Sequence, residues 1–200
     1  MPKAEKERVA EPAAPKPARR DPRVAGTRLA LSAALTELLN EGPIERITIL
    51  ALTSRANIGY ATFFRHYPDI DALLVDVSHA LIDELSTLLR SAAAEASFAT
   101  IAAAIIRFVD ERRLVLRPLF VSASAAVQRE IMSRAMATAR LSHHQNNFTL
   151  PPALATAHGV SATIGVLTWW LREGENYSSD QVAVFLQKLA LAPLMVADSA

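Results

Sequence analysis

Tyr60, Thr62, Arg65 and His66 place a phenol, a hydroxyl, a guanidinium and an imidazole within seven residues, and Phe63, Phe64 and Tyr67 add three more rings. Such groups hydrogen-bond, stack and pair with anions, which is the chemistry of recognition more than of bond cleavage. Most catalytic chemistries are missing their parts. The chain has no cysteine, so disulfides, thiolate metal sites and a cysteine nucleophile are excluded, which fits a cytoplasmic protein. It has no phosphate loop, dinucleotide fingerprint, His-Glu-x-x-His or Gly-x-Ser-x-Gly. Asp110-Glu111 stand beside Arg112-Arg113 and read as a solvated face. His143-His144 lack a third ligand at metal spacing, and neighbours on a helix diverge by about 100°. No metal and no cofactor are expected, and His158 reads as an interior histidine.

The elements that must hold these residues are helices. Hydrophobic residues make up 51% of the 200 and charged residues 20%, with only six glycines. That composition predicts an all-α protein of about nine helices. "MPKAEKERVAEPAAPKPARR" has no apolar period and no signal-peptide core, so residues 1–21 read as a flexible, basic, Pro/Ala-rich tail. Asp21-Pro22 caps a first helix with Leu31, Ala34, Leu35, Leu38 and Leu39 on one face, ended by Gly42-Pro43. Thr48 caps a short second helix that stops near Arg55. A third spans Gly59–Tyr67, and Pro68-Asp69 starts a long fourth with Leu74, Val77, Leu81, Leu85 and Leu88 in a stripe. Beyond it, Ile101, Ile105, Phe108 and Val109 mark a fifth helix ending before Pro118. A sixth and seventh fall within 118–145, and the last two span 153–174 and 179–196, the final one capped by Ser179. Ala153–Leu171 lacks formal charges, but its Thr, Ser, His and Gly residues make it a buried or interface helix rather than a membrane span.

Two brief helices broken at Ala56-Asn57-Ile58-Gly59 match the needs of a helix-turn-helix, whose second helix lies in a major groove. Ile49, Leu52, Ala56 and Ile58 can pack the pair. Asn57 tolerates the left-handed conformation of a tight turn. Phe63 and Tyr67, four apart, can anchor the third helix to the core, which leaves Tyr60, Ala61, Thr62, Arg65 and His66 facing outward.

The run "ITILALTSRANIGYATFFRHYPDIDALL" (47–74), preceded by "ALTELLNEGPIERIT" (34–48), resembles the DNA-binding domain of TetR-family bacterial transcriptional regulators. Thr48 stands at the family's second-helix threonine, Ala56-Asn57-Ile58-Gly59 at its turn, and Ala61-Thr62-Phe63-Phe64 with His66 and Tyr67 at its Gly-Thr-Phe-Tyr, His, Phe pattern. "GVLTWWLREGENYSSDQVAVFLQKL" resembles the family's closing helices. The resemblance implies a helix-turn-helix domain over 22–85 and a ligand-binding and dimerisation domain over 86–200. It implies a homodimer on a palindromic double-stranded DNA operator, released by a small apolar effector, with repression as the common habit. Its DNA contacts fall on Thr48, Gly59, Tyr60, Ala61, Thr62, Phe64, Arg65 and His66, with Tyr60, Ala61 and Thr62 nearest the base edges. Candidate effector residues are Phe108, Phe120, Met132, Met136, His143, Phe148 and Trp169. Val160, Ile164, Leu167, Leu171, Val182, Phe185 and Leu189 are the candidate dimer stripe. Read from the residues alone, a small helical enzyme or carrier of an apolar molecule stays open as the alternative.

The chain departs from the family in ways that cost DNA affinity. Phe64 replaces a tyrosine that offers a hydroxyl, Ile70 a frequent lysine, Tyr60 a common basic residue and Gly59 a serine. Residues 24–90 carry five basic and eight acidic side chains, whereas residues 1–23 carry seven basic and four acidic. Lys16, Arg19, Arg20, Arg23 and Arg28 therefore read as a basic arm against DNA, and the alternative is a solvated spacer. If the arm contributes, removing residues 1–20 will weaken DNA binding and flatten its salt dependence in a titration series. An unchanged slope excludes the arm.

Overall fold

A computed structural model describes residues 22–92, 97–142, 150–174 and 176–194, and every described element is helical. Helix α1 (Pro22–Glu41) stops at the Gly42-Pro43 pair, and a 3-10 turn (Ile44–Arg46) leads to α2 (Ile49–Arg55). The Thr48 hydroxyl accepts from the Ala51 amide at 3.1 Å, capping α2 as its position predicts. Asn57, at φ 53°, is the one non-glycine residue with positive φ among those described. That turn stops α2 and lets α3 (Tyr60–His66) restart at an angle. The Asp69 carboxylate accepts from the Ala72 amide at 2.8 Å and opens α4 (Ile70–Ala92), so the expected division near residue 85 falls inside a single helix.

The second half departs from expectation at three places. The helix expected to run to Pro118 breaks at Arg112, giving α5 (Phe98–Glu111) and α6 (Arg113–Arg117). Pro118 then continues the path instead of ending it. A turn of π geometry follows over Pro118–Ser122, closed by Ala123 N–H to the Pro118 carbonyl at 2.8 Å. Among the described residues, helix α7 (Ala125–Ser142) is the one long helix between that turn and α8 (Pro152–Glu173). Helix α9 (Ser179–Leu186) is shorter than expected, passing into a π turn (Gln187–Leu191) and a 3-10 turn (Ala192–Leu194). Its cap is Ser178, which forms a reciprocal capping box with Gln181. Ser179 is free to donate to Asp110 at 2.7 Å, tying α9 to α5.

One buried cluster runs through both halves, from Leu31, Leu35, Leu52 and Phe63 through Leu73, Ile106 and Leu119 to Trp170 and Leu186. Helix α4 packs on α7 and α5, α5 on α9, and α8 on α7 and α9. Gly174 ends α8 directly over Trp170, where an added Cβ would stand 2.7 Å from the indole Cδ1. Among the described residues, no helix is long and apolar enough to cross a membrane.

The expected dimer stripe needs correcting. Leu167, Leu171 and Val182 are buried within the subunit's own core and have no surface to offer a partner. Helical period finds a face that is covered but not what covers it. Val160, Ile164 and Phe185 are half-buried, while Leu189 is 60% exposed and is joined outside by Leu154 and Val184.

Candidate nucleic-acid interface

A seven-residue helix can expose a side chain reliably only if its other face is held. In α3, Phe63 is fully buried and Tyr67, at the helix end, nearly so. With these facing inward, Tyr60, Ala61, Phe64 and Arg65 are exposed, and Thr62 and His66 are half-buried. Tyr60 is 52% and Phe64 47% exposed, large apolar surfaces to leave in water. Gly59 is exposed in extended backbone at the helix start, with Thr48 exposed at the start of α2. The eight residues expected at DNA therefore lie at the surface of one α2–α3 unit. Leu50 on α2 is exposed beside them, and its apolar type gave no reason to single it out.

The inward face ends in a polar tie. The Tyr67 hydroxyl donates to Asp76 on α4, and Arg28 of α1 lies 3.7 Å from the same carboxylate and 5.6 Å from the Tyr67 ring. Burial first, then the bond to Asp76 and the charge of that carboxylate, raise the Tyr67 pKa far above its ordinary 10.0, with Arg28 pulling the other way. This tie joins the three helices α1, α3 and α4.

Local acidity looked hostile to a polyanion, and the structure shows where that acidity goes. Glu37 and Glu41 of α1 both bind Arg55 of α2, at 3.2 and 2.7 Å, and these bonds raise the Arg55 pKa, Glu41 most. Asp69 caps α4. Asp71 accepts from Ser124 at 2.7 Å, Asp83 takes Arg134 on both oxygens at 2.7 Å, and Glu84 meets Arg112 at 2.6 Å. Seven of the eight carboxylates thus serve packing, and Glu45 lines a cleft. The cations of this half divide differently. Arg46 and Arg65 have no carboxylate partner among the described residues. Sequence reading passed over Arg46 because it lies in a connection, in the 3-10 turn just before Thr48. Lys16, Arg19 and Arg20 lie outside the described residues.

The expected effector residues that are described occupy several different places in the fold. Phe108 is buried under the Arg112 guanidinium, 4.1 Å from its ring centre, so it serves as core. Trp169 packs on Tyr177 and Phe185 at the α8–α9 junction, centroids 5.3 and 6.3 Å away. Phe120, Met132 and Met136 are half-buried on the π turn and α7. His143 and Phe148 lie outside the described residues, as does His144, and His158, expected in the interior, is exposed on α8. An open cleft of about 370 Å³ lies elsewhere, where the connection at Leu39, Pro43 and Ile44 meets Arg113, Leu114 and Arg117 of α6. Among the described residues no group of three His, Asp or Glu side chains could hold a metal.

Known structures share this fold. A TetR transcriptional regulator from Rhodococcus sp. RHA1 superposes with TM-score 0.67 at 16% identity, over 88% of this chain and all of its own. The chain has the TetR-family fold. The TetR-family repressor FadR of Thermus thermophilus, solved with lauroyl-CoA, matches with TM-score 0.63 at 14% identity, over 86% of this chain and 97% of that one. A TetR regulator from Streptococcus agalactiae matches with TM-score 0.59 at 19% identity, over 84% and 96%. No family model and no curated protein matches the sequence. At identities of 14–19%, these likenesses are to the fold.

Within this frame Tyr67 carries a measurable signature. A group whose pKa is raised by folding contributes stability that is complete below its unfolded value and is lost as pH climbs above it. On alkaline titration by ultraviolet absorbance, Tyr67 will ionise at higher pH than an ordinary tyrosine, and denaturant stability will fall above about pH 10. Tyr67→Phe will lower stability by about 1.5 kcal/mol and remove that loss.

Proposed function

We propose that this protein is a ligand-responsive, DNA-binding transcriptional regulator that works as a homodimer, with α3 in the major groove. The observation that carries the reading is the division of α3 into a buried anchor, Phe63 with Tyr67, and an exposed face of Tyr60, Ala61, Phe64 and Arg65 on a TetR-like fold. Tyr60, Ala61 and Thr62 are assigned to base edges. Thr48, Gly59, Phe64, Arg65 and His66 border the backbone, and Arg46 joins them as a phosphate contact. Phosphate contacts set the register, and base edges specify sequence. Repression in the cytoplasm is the mode this reading takes, because α3 over a promoter excludes other proteins.

Two subunits related by a two-fold axis read a palindrome, with half-sites about 34–36 Å apart or a multiple of that. The exposed apolar faces of α8 and α9, with Leu154, Val184 and Leu189 beside half-buried Val160, Ile164 and Phe185, are assigned to the partner subunit. The effector is assigned to the region of Phe120, Met132 and Met136. Half-buried thioethers adapt to apolar ligands, and the lauroyl-CoA bound to the Thermus protein of similar fold supports a ligand with an apolar portion such as an acyl chain. Such a ligand lowers operator affinity only by favouring a dimer with misplaced recognition helices.

Selection of bound duplexes from random DNA tests the reading directly. A palindromic motif is expected, and recovery of no motif would remove the DNA-binding assignment. For the dimer, Val184→Glu with Leu189→Glu is expected to shift sedimentation from dimer to monomer while the helical circular dichroism is kept. An unchanged dimer would place the interface on another surface.

A further inference from the structure

Four rings run in sequence from the buried tie to the outer face of α3. Tyr67 and Phe63 have centroids 5.8 Å apart, Phe63 and Phe64 5.5 Å, and Phe64 and Tyr60 5.3 Å. The last two contacts are edge-on, at 81° and 64°, an arrangement that ring quadrupoles favour. Phe64 thus spends its exposed side chain on the neighbouring Tyr60 ring, at a position with no hydroxyl to give a phosphate. The Tyr60 hydroxyl has no hydrogen bond among the described residues. A side chain so exposed and yet so held has its ring, more than its reach, to offer.

The rest of the face agrees. Base pairs are read through hydrogen bonds chiefly by Arg, Lys, Asn and Gln. Helix α3, "YATFFRH", has one of these, Arg65. Its other exposed residues, Tyr60, Ala61 and Phe64, present two rings and a methyl group. The major groove displays one apolar group, the C5-methyl of a pyrimidine, which in unmodified DNA belongs to thymine.

Resting on the DNA-binding reading above, we propose that Tyr60 recognises a thymine C5-methyl group in each half-site through its ring face, supported by Ala61, and that Phe64 is the positioning residue that holds the Tyr60 ring. The operator then carries thymine at a fixed place where a hydrogen-bonding helix would require guanine or adenine. The phenol oxygen takes no part in the discrimination.

The test uses full-length protein and the duplex recovered from random DNA, replacing each thymine in turn by uracil, which removes only the methyl group. Binding is followed by fluorescence anisotropy. At one thymine per half-site, uracil is expected to weaken binding about fourfold, the loss of one buried methyl group. Tyr60→Phe keeps that penalty, Tyr60→Ala abolishes it, and Phe64→Ala reduces it while Phe64→Tyr preserves it. The proposal is overturned if no thymine is sensitive, if Tyr60→Ala is as sensitive as the parent, or if Tyr60→Phe loses the effect. Those outcomes leave sequence-specific binding intact and so are separate from failure of the DNA-binding reading, in which no duplex is recovered at all.

Discussion

The arrangement depends on the carboxylates spaced along α4. Asp76 holds Tyr67 and Arg28, and so fixes α3 and α1. Asp71, Asp83 and Glu84 take Ser124, Arg134 and Arg112, and so fix α7 and the end of α5. A single 23-residue helix is thereby tied to both halves of the chain. Each tie is partly exposed, and an exposed ion pair contributes little stability on its own. Their contribution is geometric: together with the continuous apolar core they fix the rotation and height of α4.

That continuity has consequences for motion. Packed cores rearrange between discrete states more readily than they deform. Asp83 and Asp71 link α4 to Arg134 of α7 and to Ser124 at its start, and Asp76 links α4 to Tyr67 at the end of α3. Under the proposed function, this path couples the α7 methionines to the spacing of the two recognition helices. The π turn after Pro118 adds a segment of altered pitch between α6 and α7, whose Ser122 end lines the cleft beside the first helix connection.

Much of the N-terminal half was legible because its signals are local. Thr48 and Asp69 cap the helices they precede, Asn57 takes the left-handed turn, and Phe63 and Tyr67 face inward from a spacing of four. The second half was less legible because its decisive contacts are distant. Arg112 breaks a helix that has no proline or glycine to mark the break, and it reaches Glu84 on α4. Pro118 continues a helical path that it was expected to end. Leu167, Leu171 and Val182 form the right period for the wrong neighbour, since the subunit itself covers them.

Charge shows the same division. Counting residues makes the N-terminal half acidic, yet nearly all its carboxylates turn out to hold α1, α2, α3, α4, α5 and α7 together. Composition and period determined that the chain is helical, where the short α2–α3 pair lies and which side of α3 faces inward, because each follows from interactions within a few residues along one helix. Only the tertiary structure decided which acids are spent on packing, which apolar stripe stays outside, and how four rings align from Tyr67 to Tyr60. Those outcomes depend on side chains brought together from separate helices, and no one-dimensional spacing records that proximity.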